Sequence, residues 1–349
     1  MSPTIKHSAV RFLTLAIATF AITPFIATAS AQQLASADLN TQKQDYKRPE
    51  SIPFPDYNPY TPEKAALGKM LYFDPRVSAG QNMTCASCHN PSFGWEAPLA
   101  RAIGSQNTPL GRHAPTVLNM AFATDVYFWD GRADTLEEQA KGPIQADVEM
   151  NMPLDQLVTR LSGVEGYQSW FARVFPDEGI TEDTIVAAIA TYERTVVSSY
   201  APFDAWVDGD EKAISDSAKR GFKLFTGKAE CSACHTGWNF TDNQFHDIGL
   251  PSEDIGRANV DPSSIKNWHA FKTPGLRDTT QRLPFMHNGS VPDLEAVILH
   301  YASGGIQRPS LSEKMKPLDL SDQDVEDLIA FVESLTGEAT VVALPRLPN

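Results

Sequence analysis

Two pentapeptides in this chain carry residue types that can do chemistry, Cys85-Ala-Ser-Cys88-His89 and Cys231-Ser-Ala-Cys234-His235. C-x-x-C-H is the spacing of covalent c-type haem attachment. Two thiols one helical turn apart can each add to a vinyl group of one porphyrin. The histidine that follows is then held where a neutral imidazole nitrogen can bind the iron. The two copies use all four cysteines of the chain. A split zinc site would not require a histidine directly after each pair, and a disulfide framework would not repeat the same pentapeptide. The expectation is two covalent c-type haems, attached through Cys85, Cys88, Cys231 and Cys234, with His89 and His235 on the irons.

The elements around these motifs form an internal repeat. Thr61-Pro62-Glu63 reads as an N-cap, a proline at the first helical position and an acid in the first turn. The helix it starts runs through Ala65, Gly68, Leu71 and Phe73 towards the first motif. Ser215 caps a second helix, with Ala218, Gly221, Phe222 and Phe225, ahead of the second motif. A glycine-containing amphipathic helix before each haem site predicts two cytochrome c-like domains, 61–205 and 206–340. Between the motifs, Asp134 to Lys141, Pro153 to Leu161, Tyr167 to Val174 and Thr181 to Ser199 read as helices. The last carries Ile185, Ala188, Ile189 and Tyr192 at helical spacing. A linker is expected over Tyr200 to Gly209, a helix over Pro292 to His300, and a final helix over Asp322 to Leu335. Strand signals are weak, so the fold class is mainly α, each domain wrapping one haem.

The N-terminus reads as an export signal over residues 1–31. Lys6 and Arg11 open it, an apolar run to Ile26 follows, and Ala29-Ser30-Ala31 is an A-x-A cleavage site. Residues 32–60, dotted with prolines, read as an extended leader draped on the body. Pro24 interrupts the apolar run, which is short for a membrane span, and no stable membrane insertion is expected. The signal and the haems together point to the periplasm. Net charge is −14, and loss of the signal removes two more positive charges, which makes nucleic acid an unfavourable partner. The 25 prolines predict long loops between helices.

Further segments carry a resemblance. They are Ala114-Pro115-Thr116-Val117-Leu118-Asn119, Phe128-Trp129-Asp130-Gly131-Arg132-Ala133, the stretch Leu136 to Pro143, and Glu149-Met150. In the second half they are Phe271-Lys272-Thr273-Pro274-Gly275-Leu276-Arg277 and Pro284-Phe285-Met286-His287-Asn288-Gly289. In this order they resemble the bacterial di-haem cytochrome c peroxidase family, which includes MauG, from about Thr61 to Gly337. The resemblance implies that the His89 haem reacts with hydrogen peroxide and the His235 haem relays electrons. It also implies that Trp129 lies between the haems and that Gln139, Pro143 and Glu149 line the peroxide pocket. The residue types agree. Cleaving the O–O bond needs a base that takes a proton from peroxide and returns it to the leaving oxygen. A carboxylate among Pro143, Met150 and Met152 is placed for a raised pKa. Taken alone, Glu149 also reads as a solvated loop acid, Gln139 as a helix-surface amide and Trp129 as a core aromatic.

The family's sixth ligand on the second haem falls on Tyr301, where the cytochrome c peroxidases have methionine and MauG-like members tyrosine. A phenolate favours oxidised iron, a thioether the ferrous state. Met286 is the rival ligand, His287 and His300 are further ones, and Tyr301 also reads as a core residue following a helix. Three departures from the family stand out. Residues 105–111 lack the histidine that caps the first haem in cytochrome c peroxidases, so a five-coordinate resting haem is expected. His113 stands where the family usually has an asparagine that binds an interdomain Ca²⁺, whose other ligands are carbonyls matching Arg282 and Pro284. Imidazole is a poor ligand for that hard cation, which counts against calcium as a cofactor. Ala229 replaces the surface tryptophan through which MauG oxidises its protein substrate.

The leading functional expectation is a periplasmic di-haem peroxidase reducing hydrogen peroxide to water, with electrons from a small c-type cytochrome or cupredoxin. The alternative is MauG-like, peroxide-dependent oxidation of a tryptophan or other side chain in a partner protein. A di-haem electron carrier is the third reading, and an acid–base group over an iron counts against it.

Overall fold

The computed structural model describes residues 1, 2, 4, 39–124 and 126–349. Most of the expected signal segment and residues 32–38 of the leader lie outside these. Residues 1–41 and 42–349 form separate compact units, and the architecture below is that of the second.

The two halves repeat one helix crossing. Helix α1 (Pro62–Tyr72) starts as expected, with the Thr61 side chain accepting from the Lys64 N–H and Pro62 at its first position. Helices α2 (Leu136–Gln145), α3 (Leu154–Ser162), α4 (Glu165–Val174) and α5 (Glu182–Arg194) follow. Helices α6 (Pro202–Val207), α7 (Asp216–Thr226), α8 (Leu294–Ser303) and α9 (Asp322–Glu333) come next in the chain. Helix α1 packs against α5 through Gly68, where a Cβ would lie 1.8 Å from the Ala188 carbonyl oxygen. Helix α7 packs against α9 through Gly221, where a Cβ would lie 1.9 Å from the Asp327 carbonyl oxygen. The small residue that marked each helix in the sequence is therefore what lets the backbones touch. Among the described residues the only paired strands are β1 (Phe245–His246) and β2 (Phe271–Lys272), antiparallel with Phe245 opposite Lys272. The fold is mainly α.

The first half is closed by aliphatic residues of α1, α3 and α5 with Tyr167 and Phe171 of α4. The second half is aromatic. Phe222 lies 5.5 Å and 5.6 Å, centroid to centroid, from Phe331 and Phe203, and Phe240 lies 5.5 Å from Phe203.

Three expectations are corrected. The segment 200–209 is not a free linker: it contains α6, whose Phe203 and Trp206 are fully buried in the aromatic core. The leader is not only draped on the body. Residues 42–44 are helical, Tyr46 stacks on Phe240 at 4.8 Å, and the buried Lys43 ammonium donates to the Trp206 carbonyl. Helix α5 stops at Arg194 rather than Ser199. Asn119 accepts from the Ser198 N–H at 2.9 Å, and Arg48 donates to the Ser198 and Ser199 carbonyls. These bonds hold the chain outside helical geometry.

Because neither crossing has room for a methyl group, Gly68→Ala and Gly221→Ala are each expected to destabilise the holoprotein by roughly 1–3 kcal/mol. Glycine-to-alanine changes inside helices ordinarily stabilise. Chemical denaturation followed by circular dichroism checks the sign, and unchanged stability would contradict the crossing.

Candidate haem centres

In the first centre Cys85–Cys88 forms a single helical turn entered through Thr84, so both thiols lie on one short rigid element. The ring of His89 donates from Nδ1 to the Pro115 carbonyl at 2.8 Å. That bond fixes the tautomer and leaves Nε2 unprotonated for a metal. Burial pushes the His89 pKa down, which favours the neutral, ligating form. Tyr72, fully buried, donates its hydroxyl to the His89 carbonyl at 3.1 Å.

Two of the expected peroxide-pocket residues, Pro143 and Glu149, lie at the end of α2 and on the turn after it. Pro143 lies one helical turn beyond Gln139, and its carbonyl accepts from the Met150 N–H at 3.1 Å. Glu149 closes a turn onto the Ala146 carbonyl, and its own carbonyl accepts from the Ser105 N–H. The loop that lacks a histidine is thus pinned beside Glu149. Burial raises the Glu149 pKa, opposed by the positive charge of Arg132. The same carboxylate is close enough to Cys88 to add to the effect of burial, which together push that thiol up to about 11.

In the second centre Cys231, Cys234 and His235 line a partly open cavity of about 220 Å³. The His235 ring donates from Nδ1 to the Phe240 carbonyl at 2.9 Å, the same device as at His89. Burial lowers its pKa too. Phe225, Leu294, Val297, Leu328 and Val332 give the cavity apolar walls. Lys272 also lines it, and burial pushes its ammonium down to about 8. Apolar walls with a lysine ammonium among them fit a flat, largely apolar ligand bearing carboxylates, as haem is.

Tyr301 lies in the last turn of α8, not after the helix as expected, because Gly304 at φ +76° ends the helix three residues later. It lines the cavity. Burial, with Cys234 and Cys231 nearby, raises the pKa of its phenol. Met286 lines the same cavity. His287 is also in the wall, but its ring stacks on Phe271 at 3.5 Å and its Nε2 faces the Ser252 hydroxyl. His300 donates from Nε2 to the Ile248 carbonyl. Both histidines are engaged elsewhere, which leaves Tyr301 and Met286 as candidates. Ala229 is buried, so that position presents no surface aromatic.

Trp129 lines the second cavity and donates its indole N–H to the His113 carbonyl at 2.8 Å. The His113 N–H in turn donates to the His287 carbonyl at 2.8 Å. Two residues on, Pro115 holds His89. One short segment therefore ties the first motif's histidine to the second cavity's wall. Sequence reading did not find Pro115 or Phe240 as orienting groups, because both act through backbone carbonyls that no residue type announces. Lys272 was noted only as part of a motif.

Comparisons with known proteins agree with this geometry. Residues 62–212 match the family described as di-haem cytochrome c peroxidase, and residues 218–336 match cytochrome c. The chain is 52% identical over 325 residues to the methylamine utilization protein MauG of Methylorubrum extorquens, covering 92% of this chain and 91% of that one. It is 33% identical to the cytochrome c551 peroxidase of Pseudomonas aeruginosa, over 86% of each chain. The chain belongs to the di-haem cytochrome c peroxidase and MauG family. A solved MauG-like protein associated with microbial copper homeostasis superposes with a TM-score of 0.77 at 29% identity, covering 84% of this chain and 95% of that one. As a family member the chain is an oxidoreductase carrying two covalently bound c-type haems.

Within that family the sixth ligand of the second haem separates Tyr301 from Met286 by experiment. Tyr301→Phe is expected to change the optical and paramagnetic spectra of the second haem, while Met286→Leu leaves them as they are. The reverse result would assign methionine.

Proposed function

We propose that this enzyme consumes hydrogen peroxide at the His89 haem and uses the oxidising power, through the second haem, on a side chain of a partner protein. The observation that carries this reading is Tyr301 in the wall of the second cavity, beside Cys231 and Cys234. An oxygen ligand stabilises oxidised iron, which suits a centre that stores oxidising equivalents rather than one that accepts electrons easily. The 52% identity to a MauG protein supports the same choice. Haem iron supplies the redox chemistry of O–O cleavage at the first centre. Glu149 takes the peroxide proton on its carboxylate and returns it to the leaving oxygen, and Gln139 orients the oxidant by its amide. Pro143 fixes the turn that carries Glu149, and Trp129 passes electrons between the centres. With alanine buried at position 229, the exit to a protein partner uses another surface residue.

The second reading, peroxide reduction with electrons from a small c-type cytochrome or cupredoxin, is favoured by the similarity to the Pseudomonas aeruginosa peroxidase. Steady-state peroxide consumption with a reduced c-type cytochrome separates the two: slow turnover fits the first, rapid turnover the second. The export signal read in residues 1–31 supports a periplasmic location for the enzyme; separately, among the described residues no helix is long and apolar enough to cross a membrane.

The raised Glu149 pKa gives a pH signature. As a base the carboxylate must be ionised, so the rate of reaction with peroxide should rise with pH through a midpoint above the ordinary carboxylate range. Glu149→Gln should remove that limb and lower the rate on the order of 10²-fold. Arg132→Ala should move the limb further up, because the charge that opposes burial is gone. Stopped-flow kinetics across pH checks all three, and an unchanged rate in Glu149→Gln removes the residue from the mechanism.

A further inference from the structure

The region between the two centres contains a buried charge cluster that the reaction scheme does not use. Glu96, His113 and Arg282 are 7%, 2% and 5% exposed. Glu96 sits on the loop after the first motif, and its carbonyl accepts from the Asn90 N–H. Its Oε1 accepts from the Thr116 N–H at 3.0 Å and from Arg282 Nη1 at 3.2 Å. Its Oε2 faces His113 Nε2 at 3.4 Å, while His113 Nδ1 donates to the Leu99 carbonyl. Arg282 donates its other terminal nitrogen to the Gly275 carbonyl and the Thr279 hydroxyl. Gly94, at φ +58°, lets the loop approach so closely that a Cβ would lie 2.4 Å from Arg282 Cγ.

A calcium ion needs a cage of oxygen acceptors. Here the one carboxylate is already held by a guanidinium, and an imidazole stands where an oxygen ligand would be. These residues do not fit the interdomain Ca²⁺ that the family resemblance implies. We propose that Glu96, gripped by Arg282 and facing His113, replaces that cation as the clamp between the two haem-bearing halves. It is a positioning residue. By holding the Thr116 N–H and facing the His113 ring it fixes segment 113–116. That segment presents the Pro115 carbonyl to His89 and the His113 carbonyl to Trp129. The effect on Trp129 rests on the relay proposed above, whereas the effect on His89 does not.

The test uses the intact holoenzyme. Elemental analysis after purification in calcium should find no stoichiometric calcium, and a chelator should leave the resting paramagnetic spectrum unchanged. Glu96→Gln keeps the shape and removes the charge. It should alter the signal of the first haem and slow electron exchange between the haems by roughly tenfold or more, since small displacements of positioned groups have large effects on rate. Glu96→Asp should restore part of both. Should Glu96→Gln fail to fold, Arg282→Lys, which keeps the charge but loses the fork, reads the same quantities. Stoichiometric calcium, a chelator-sensitive spectrum, or a variant indistinguishable from the parent would each overturn the proposal. An altered spectrum with unchanged exchange upholds Glu96 as the clamp on His89 and removes Trp129 from the relay.

Discussion

The structure depends on one interaction made twice, a backbone carbonyl holding the Nδ1–H of a buried histidine. Pro115 does this for His89 and Phe240 for His235. A c-type haem is tethered by its thioethers, but the iron's environment is set by which imidazole nitrogen is free and where the ring points. Burial without such a bond would leave the ring free to rotate or to exchange tautomers. The first carbonyl is supplied from a loop distant in sequence, so the orientation of His89 is a tertiary property. Phe240 lies five residues after His235, so the second centre largely orients itself.

Much of the remaining architecture supports those two loops. In each half a helix crosses its partner with backbone in contact at a glycine, and the motif follows shortly after that crossing. The aliphatic core of the first half and the aromatic core of the second hold the crossings rigid. The halves then meet across segment 112–116. It contributes a carbonyl to each centre and an arginine, Arg112, that bridges Asp130 and Asp254 at 2.6 Å to each. A displacement of this segment would be felt at both haems together, which fits chemistry in which two centres share oxidising equivalents.

Covalent chemistry and local periodicity were legible in the sequence. The four cysteines and their histidines needed only spacing. Thr61-Pro62 and Ser215 marked helix starts because capping is a local side-chain event. The glycines announced the crossings through the internal repeat. The places where reading failed are those where tertiary contacts decide. Residues 200–209 read as a linker between the domains, yet Phe203 and Trp206 pack into an aromatic core. Helix α5 had the periodicity to continue, but Asn119 and Arg48 claimed the backbone of its last residues. The extension of α8 past His300, to Ser303, brought Tyr301 onto the helix instead of just after it. Glu96 and the carbonyls of Pro115 and Phe240 carry no recognisable pattern, since an acid in a loop and a backbone oxygen are found everywhere.

The central claim is that each centre carries its own haem, the first with an open position beyond His89 and the second closed by a residue of its cavity wall. Electron paramagnetic resonance of the resting, fully loaded enzyme tests this most directly. Equal amounts of one high-spin and one low-spin ferric haem are predicted. A single haem per chain, or two low-spin signals, would contradict the account.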